Sequence, residues 1–122
     1  MRILIADDHD LFRAGLRNLL EEQGLSVIGE ASTGAETVEL ARDLLPDVVV
    51  MDLNMPTMSG VEATRRILEV SPSTNLVILA LSDEDSEVKD AILAGACGYL
   101  LKDASIHELV SGVRAAARGE TA

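Results

Sequence analysis

Five short runs of Val, Ile, Leu and Ala recur along this chain, each followed by a segment with apolar residues at helical spacing, and this alternation most limits what the chain can fold into. The runs are Arg2 to Ala6, Leu25 to Ala31, Val48 to Met51, Leu76 to Leu81 and Cys97 to Leu101. They read as near-continuous apolar stretches, the pattern of strands buried on both faces. Between them, Leu11, Gly15, Leu16, Leu19 and Leu20 predict a helix closed by Gly24, and Val38, Leu40, Ala41, Leu44 and Leu45 predict one that stops before Pro46. Ala63, Ile67 and Leu68 mark a third. Val88, Ala91, Ile92 and Leu93, closed by Gly95, mark a fourth, and Leu109, Val110, Val113, Ala116 and Ala117, ended by Gly119, a fifth. Capping-box patterns stand at Thr33-Gly34-Ala35-Glu36, Ser59-Gly60-Val61-Glu62 and Ser105-Ile106-His107-Glu108, and Asp83 to Asp85 place negative charge at the start of the fourth helix.

Repeated βα units with apolar strands imply a parallel sheet with helices on both faces, because right-handed crossovers place them there. At 122 residues the chain holds one core, and a closed eight-unit barrel, which needs about 250 residues, is excluded. The predicted fold is therefore α/β, a single doubly wound (βα)5 sheet of the flavodoxin type in strand order 2-1-3-4-5. That order sets the ends of the first and third strands side by side at the switch point, where such sheets bind ligands.

Composition narrows the partners. Ten basic and 21 acidic residues give a formal charge of −11, which argues against these residues gripping a phosphate backbone and favours a cation or a basic surface. No apolar run approaches a membrane span and no signal-peptide core follows Met1-Arg2, so a cytoplasmic location without membrane contact is expected. Cys97, the single cysteine, reads as packing rather than as a reactive thiol. His9 and His107 lack a second histidine at ligand spacing, and Met51, Met55 and Met58 lack a soft-metal partner.

The strand ends carry the chemistry. Asp7 and Asp8 close the first strand, Asp52 the third and Lys102 the fifth. An isolated acidic pair ahead of a helix is ordinarily an N-terminal cap, but a third carboxylate at the neighbouring strand end turns the reading toward a site. Three converging carboxylates repel one another unless a cation sits among them, and Mg²⁺ takes a few carboxylates completed by carbonyls, water and phosphoryl oxygens. Lys102 adds a point charge able to pair with a carboxylate or grip a phosphoryl oxygen. The set suits phosphoryl transfer to a carboxylate, with Asp52 as the nucleophile.

The segments Ile3-Leu4-Ile5-Ala6-Asp7-Asp8-His9, Met51-Asp52-Leu53-Asn54-Met55-Pro56 with Ser59-Gly60, and Gly98-Tyr99-Leu100-Leu101-Lys102-Asp103 resemble the receiver domain of two-component response regulators. Three motifs in the family's order and spacing cover essentially the whole chain. The resemblance implies that Asp52 takes a phosphoryl group from a sensor histidine kinase, that Asp7, Asp8 and Asp52 hold Mg²⁺ with the backbone carbonyl of Asn54, and that Lys102 contacts the phosphoryl group. It also implies that rotation of Tyr99 reports the event. Asp-Asp-His near the start, the Gly98 to Asp103 segment and Ala117-Arg118-Gly119-Glu120 resemble the NarL/FixJ (LuxR-type) class, whose receivers precede a helix-turn-helix DNA-binding domain. The implied organisation is a receiver over residues 1–118, with 119–122 opening a linker to an output domain that lies outside this sequence. Its only chemistry would be self-phosphorylation and autodephosphorylation, with homodimerisation on phosphorylation and DNA contact through the output domain.

One position departs from the family. Twenty-two residues before Lys102, where the family usually has a Thr or Ser that hydrogen-bonds the phosphoryl group, stands Ala80, and Ser82 belongs to the following loop. Two other functions are compatible with these residues. A phosphatase of the haloacid-dehalogenase type shares the aspartate, Mg²⁺ and lysine but wants an acid where Asn54 stands, and a phosphorylation-independent interaction domain would suit Ala80.

Overall fold

In a computed structural model the chain forms the expected single sheet, and the structure describes residues 1–82 and 84–120. Asp83, part of the predicted acidic helix start, and Thr121 and Ala122 of the predicted linker lie outside the described residues. Strands β1 (Arg2–Ala6), β2 (Ser26–Ala31), β3 (Val48–Asp52), β4 (Asn75–Ala80) and β5 (Gly98–Leu101) alternate with helices α1 (Asp10–Glu22), α2 (Gly34–Leu44), α3 (Gly60–Val70), α4 (Ser86–Leu93) and α5 (Ile106–Ala117). All strand pairings are parallel, in the order β2-β1-β3-β4-β5.

Side-chain alternation along the strands divides the core into two layers. Leu4, Ala6, Val49, Met51, Leu76, Ile78 and Ala80 face one side, where Ala41 of α2, Ala63 and Ile67 of α3 and Val88 and Ala91 of α4 cover them. Ile3, Ile5, Val48, Val50, Val77 and Leu79 face the other, under Leu16 and Leu20 of α1 and Leu109, Val110, Val113 and Ala116 of α5. Burying both faces is what makes the three central strands apolar between their end residues. The edge strand β2 is only half covered, which is why Glu30 is tolerated within it.

Local signals set the ends. Thr33, Ser59 and Ser105 each cap their helix by accepting the backbone N–H three residues on, at 3.1 Å. The returning half of the predicted capping box differs. Glu36 accepts the N–H of Ser32, one residue before the cap, while Glu62 turns outward to Arg65 and Arg66. Four strands begin or end one residue from expectation: β2 starts at Ser26, β3 runs on to Asp52, β4 runs from Asn75 to Ala80, and β5 starts at Gly98. Leu81 accordingly lies beyond β4 and is 72% exposed. Gly60 opens α3 against the loop after β3, where a Cβ would stand 2.9 Å from both the Cα and the carbonyl oxygen of Leu53. This close approach packs the chain just beyond Asp52 against the sheet.

Candidate functional site

The C-terminal ends of β1, β3 and β5 bring Asp7, Asp8, Asp52 and Lys102 together, as the predicted strand order requires. Carboxylate oxygens of Asp7, Asp8 and Asp52 lie within 4.8 Å of one another. The Lys102 ammonium sits 2.9 Å from Asp7 Oδ2 and 3.2 Å from Asp52 Oδ2. Asp7 is fully buried and Asp52 nearly so, whereas Asp8 is exposed at the mouth.

The backbone fixes Asp7 on several sides. Its N–H donates to the Ala31 carbonyl at 3.0 Å, extending the β1–β2 ladder by one bond, and its Oδ1 accepts the His9 N–H at 2.8 Å. Neither acid caps α1: His9 is the N-cap, without a side-chain bond, so the capping alternative for this pair does not hold. Asp7 Oδ2 is buried and has no hydrogen-bond partner. The Lys102 ammonium engages it as an ion pair at 2.9 Å, so that oxygen faces the cluster. One ammonium shared among three carboxylates leaves an excess of negative charge at a largely buried site, which a further cation would offset.

Asp52 is held away from its ordinary titration range. Burial, reinforced by the like charge of Asp7, raises its pKa, while the Asn54 N–H on Oδ1 at 3.2 Å and the Lys102 ammonium oppose the shift without cancelling it. For Lys102, burial alone would lower the pKa, but the contacts with Asp7 and Asp52 prevail and hold it above its ordinary value, so it is a cation. Its Nζ also lies 4.8 Å from the centroid of the Phe12 ring, an aromatic wall that sequence reading missed. The oxygen-only donor set, the excess of carboxylates over the one ammonium and the mixed burial fit a hard divalent cation such as Mg²⁺.

Of the other expected residues, Asn54 meets the cluster through its backbone, while the side chains of Ala80, Ser82 and Tyr99 are not among its charged groups. Asn54 is exposed in the loop after β3, its N–H turned back to Asp52. Ala80 is fully buried at the end of β4, and its carbonyl accepts the Lys102 N–H at 2.8 Å. Ser82 is exposed and its Oγ accepts the Glu84 N–H at 3.1 Å, which commits it to the loop turn. Tyr99 is half-buried opposite Ile78 and packs on the layer that also contains Ala80.

The pattern of the response regulator receiver domain matches residues 3–114. The chain belongs to that family. Curated relatives include response regulator GacA of Pseudomonas aeruginosa, 40% identical over 121 residues, 98% of this chain and 56% of that protein. The nitrate/nitrite response regulator protein NarL of Escherichia coli is 40% identical over 119 residues, 97% of this chain and 55% of that protein. The chain therefore spans about half the length of these relatives. Among solved structures, the signal receiver domain of NarL from Mycobacterium tuberculosis superposes with a TM-score of 0.92 at 37% identity, covering 98% of this chain and 97% of that one. The receiver is of the NarL/FixJ type. Receivers are phosphorylation-controlled switches rather than turnover enzymes, so the phosphatase and phosphorylation-independent alternatives are not favoured. Among the described residues no helix is long and apolar enough to cross a membrane.

Proposed function

We propose that Asp52 is the phosphoacceptor of this receiver and that the surrounding set makes acceptance possible. The observation that carries this reading is the single ammonium of Lys102 lying between the buried carboxylates of Asp7 and Asp52. A carboxylate oxygen of Asp52 attacks the phosphorus of a phosphohistidine or a small acyl phosphate. The new O–P bond forms as the bond to the donor nitrogen or oxygen breaks, and the electron pair leaves with the donor. Asp7, Asp8, Asp52 and the Asn54 carbonyl would hold Mg²⁺, which would supply neutralising charge to the phosphoryl oxygens. As the phosphoryl group arrives, Lys102 exchanges its carboxylate contact for a phosphoryl oxygen, and its raised pKa keeps it charged throughout.

The domain assignment of 1–118 as receiver, with 119–122 entering a linker, belongs to the same reading. So do a sensor histidine kinase as phosphoryl donor, homodimerisation on phosphorylation, a cytoplasmic location, and control of transcription through a DNA-binding output domain. The buried methyl of Ala80 offers no hydroxyl to the phosphoryl group, so coupling to Tyr99 is weakened relative to a Thr or Ser receiver; a hydrogen bond to a charged group contributes about 1.5–3 kcal/mol. The direct test is incubation with acetyl phosphate and Mg²⁺ followed by intact mass measurement. A gain of about 80 Da, one phosphoryl group, is expected in the wild-type chain and absent from Asp52→Asn and from EDTA-treated samples. Equal labelling of Asp52→Asn would remove Asp52 from this role.

A further inference from the structure

Arg13 reaches the acidic cluster from behind. Its Nη1 donates to the Asp7 backbone carbonyl at 2.6 Å, Nη2 to Asp10 Oδ1 at 2.9 Å, and Nε to Glu30 Oε1 at 2.9 Å. Its side chain is 17% exposed, and the second oxygen of Glu30 is taken by Arg17 Nη1 at 2.7 Å. Glu30 lies in the edge strand, in register with Ile5 of β1. A continuous polar bridge thus runs from the sheet edge across the first two turns of α1 to the carbonyl of Asp7.

That carbonyl shares a planar peptide unit with the Asp8 N–H, so gripping it fixes the plane from which the Asp7 and Asp8 side chains depart. With the Asp7 N–H on Ala31 and Oδ1 on His9, Arg13 completes the set of constraints that leaves Oδ2 facing the cluster. We infer that Arg13 is a positioning residue for the divalent-cation site, holding the Asp7-Asp8 peptide so that both carboxylates are preset for one ion. The inference rests on the reading of this cluster as a Mg²⁺ site. Asp10 and Glu30 offset the guanidinium charge, so the bridge brings orientation with little repulsion of the ion.

Positioning and simple electrostatics predict opposite signs. Removing a cation beside a dication site tightens binding if charge alone matters. Removing the group that orients the ligands weakens it, by about tenfold to a hundredfold for outer partners of metal ligands. The experiment is a calorimetric titration of the chain with Mg²⁺, alongside thermal unfolding in EDTA. Arg13→Gln is expected to weaken Mg²⁺ binding by about tenfold or more, and Glu30→Gln, which frees one end of the bridge, to weaken it in the same direction by a smaller factor. An unchanged or tighter dissociation constant in Arg13→Gln overturns the inference, including the case where only the melting temperature in EDTA falls. Should Arg13→Gln not fold, Glu30→Gln decides by the same criterion. A wild-type chain that binds no Mg²⁺ removes the cation site itself; wild-type binding with unchanged variants removes only the role of Arg13.

Discussion

Replacing Asp52 with Asn is expected to stabilise the metal-free protein while abolishing its chemistry. In the wild type Asp52 stands 3.2 Å from one ammonium and shares a 4.8 Å cluster with two other carboxylates. At an effective dielectric of about 20, two unit charges about 4 Å apart exchange about 4 kcal/mol, so the attraction to Lys102 and the repulsion from Asp7 and the solvent-screened Asp8 are of similar size. They largely cancel, and the cost of burying the charge decides the sign, in keeping with the raised pKa of Asp52. Asn keeps an acceptor for the Asn54 N–H and removes the charge, which should stabilise the fold by on the order of 1–2 kcal/mol. For a chain of this length that corresponds to a rise of roughly 3–10 °C in Tm. Calorimetric or circular-dichroism melting at pH 7 in EDTA measures it. In Mg²⁺ the difference should narrow or reverse, because an ion bound only by the folded state stabilises the wild type more. A lower Tm for Asp52→Asn in EDTA would refute the view that the site stores repulsion in the absence of its cation.

Other outcomes follow from the same geometry. Because its folded pKa is raised, Asp52 contributes stability that is fully present below its unfolded pKa and lost as pH rises through the folded value; metal-free wild type should lose that contribution across the interval, and Asp52→Asn should not. Lys102, also raised, contributes stability present below its ordinary 10.5 and lost as pH climbs through its higher folded value, so alkaline unfolding should begin earlier in Lys102→Met. Gly60→Ala should destabilise by about 1–3 kcal/mol in denaturant melts, since the new methyl meets Leu53 backbone at 2.9 Å. Thr57, a β-branched residue held at φ 74, should give way to Gly with a gain of about 0.5–1 kcal/mol in the same assay. Ala80→Thr should strengthen phosphorylation-dependent dimerisation in sedimentation runs, and an unchanged dimer would show that the coupling bypasses this position.

The layered sheet was legible because its strands are buried on both faces, which writes them as apolar runs, and because Gly24, Gly95 and the three capping hydroxyls punctuate the helices. The convergence of Asp7, Asp8, Asp52 and Lys102 followed from strand order alone, since they stand at the ends of β1, β3 and β5. Boundaries slipped at the strand ends: Leu25, buried in the core, and Leu81, exposed, both look like strand residues by composition, yet they flank β2 and β4. Phe12, Arg13 and Glu30 were invisible as site residues for a different reason. Phe12 reads as one more apolar position of α1, and Arg13 and Glu30 as solvated charges, and only the packing of α1 against the β1–β2 edge brings them to the cluster. Nothing in local spacing encodes that approach.

The central claim is that a phosphoryl group is accepted at one named carboxylate. Acyl phosphates are reduced by borohydride whereas free carboxylates are not, so treatment of the acetyl-phosphate-labelled chain, digestion and peptide mass analysis report the position directly. The account predicts homoserine at position 52, dependent on Mg²⁺ and lost when Lys102 is replaced by Met. Reduction at Asp7, Asp8 or any other acid, with Asp52 intact, would contradict it.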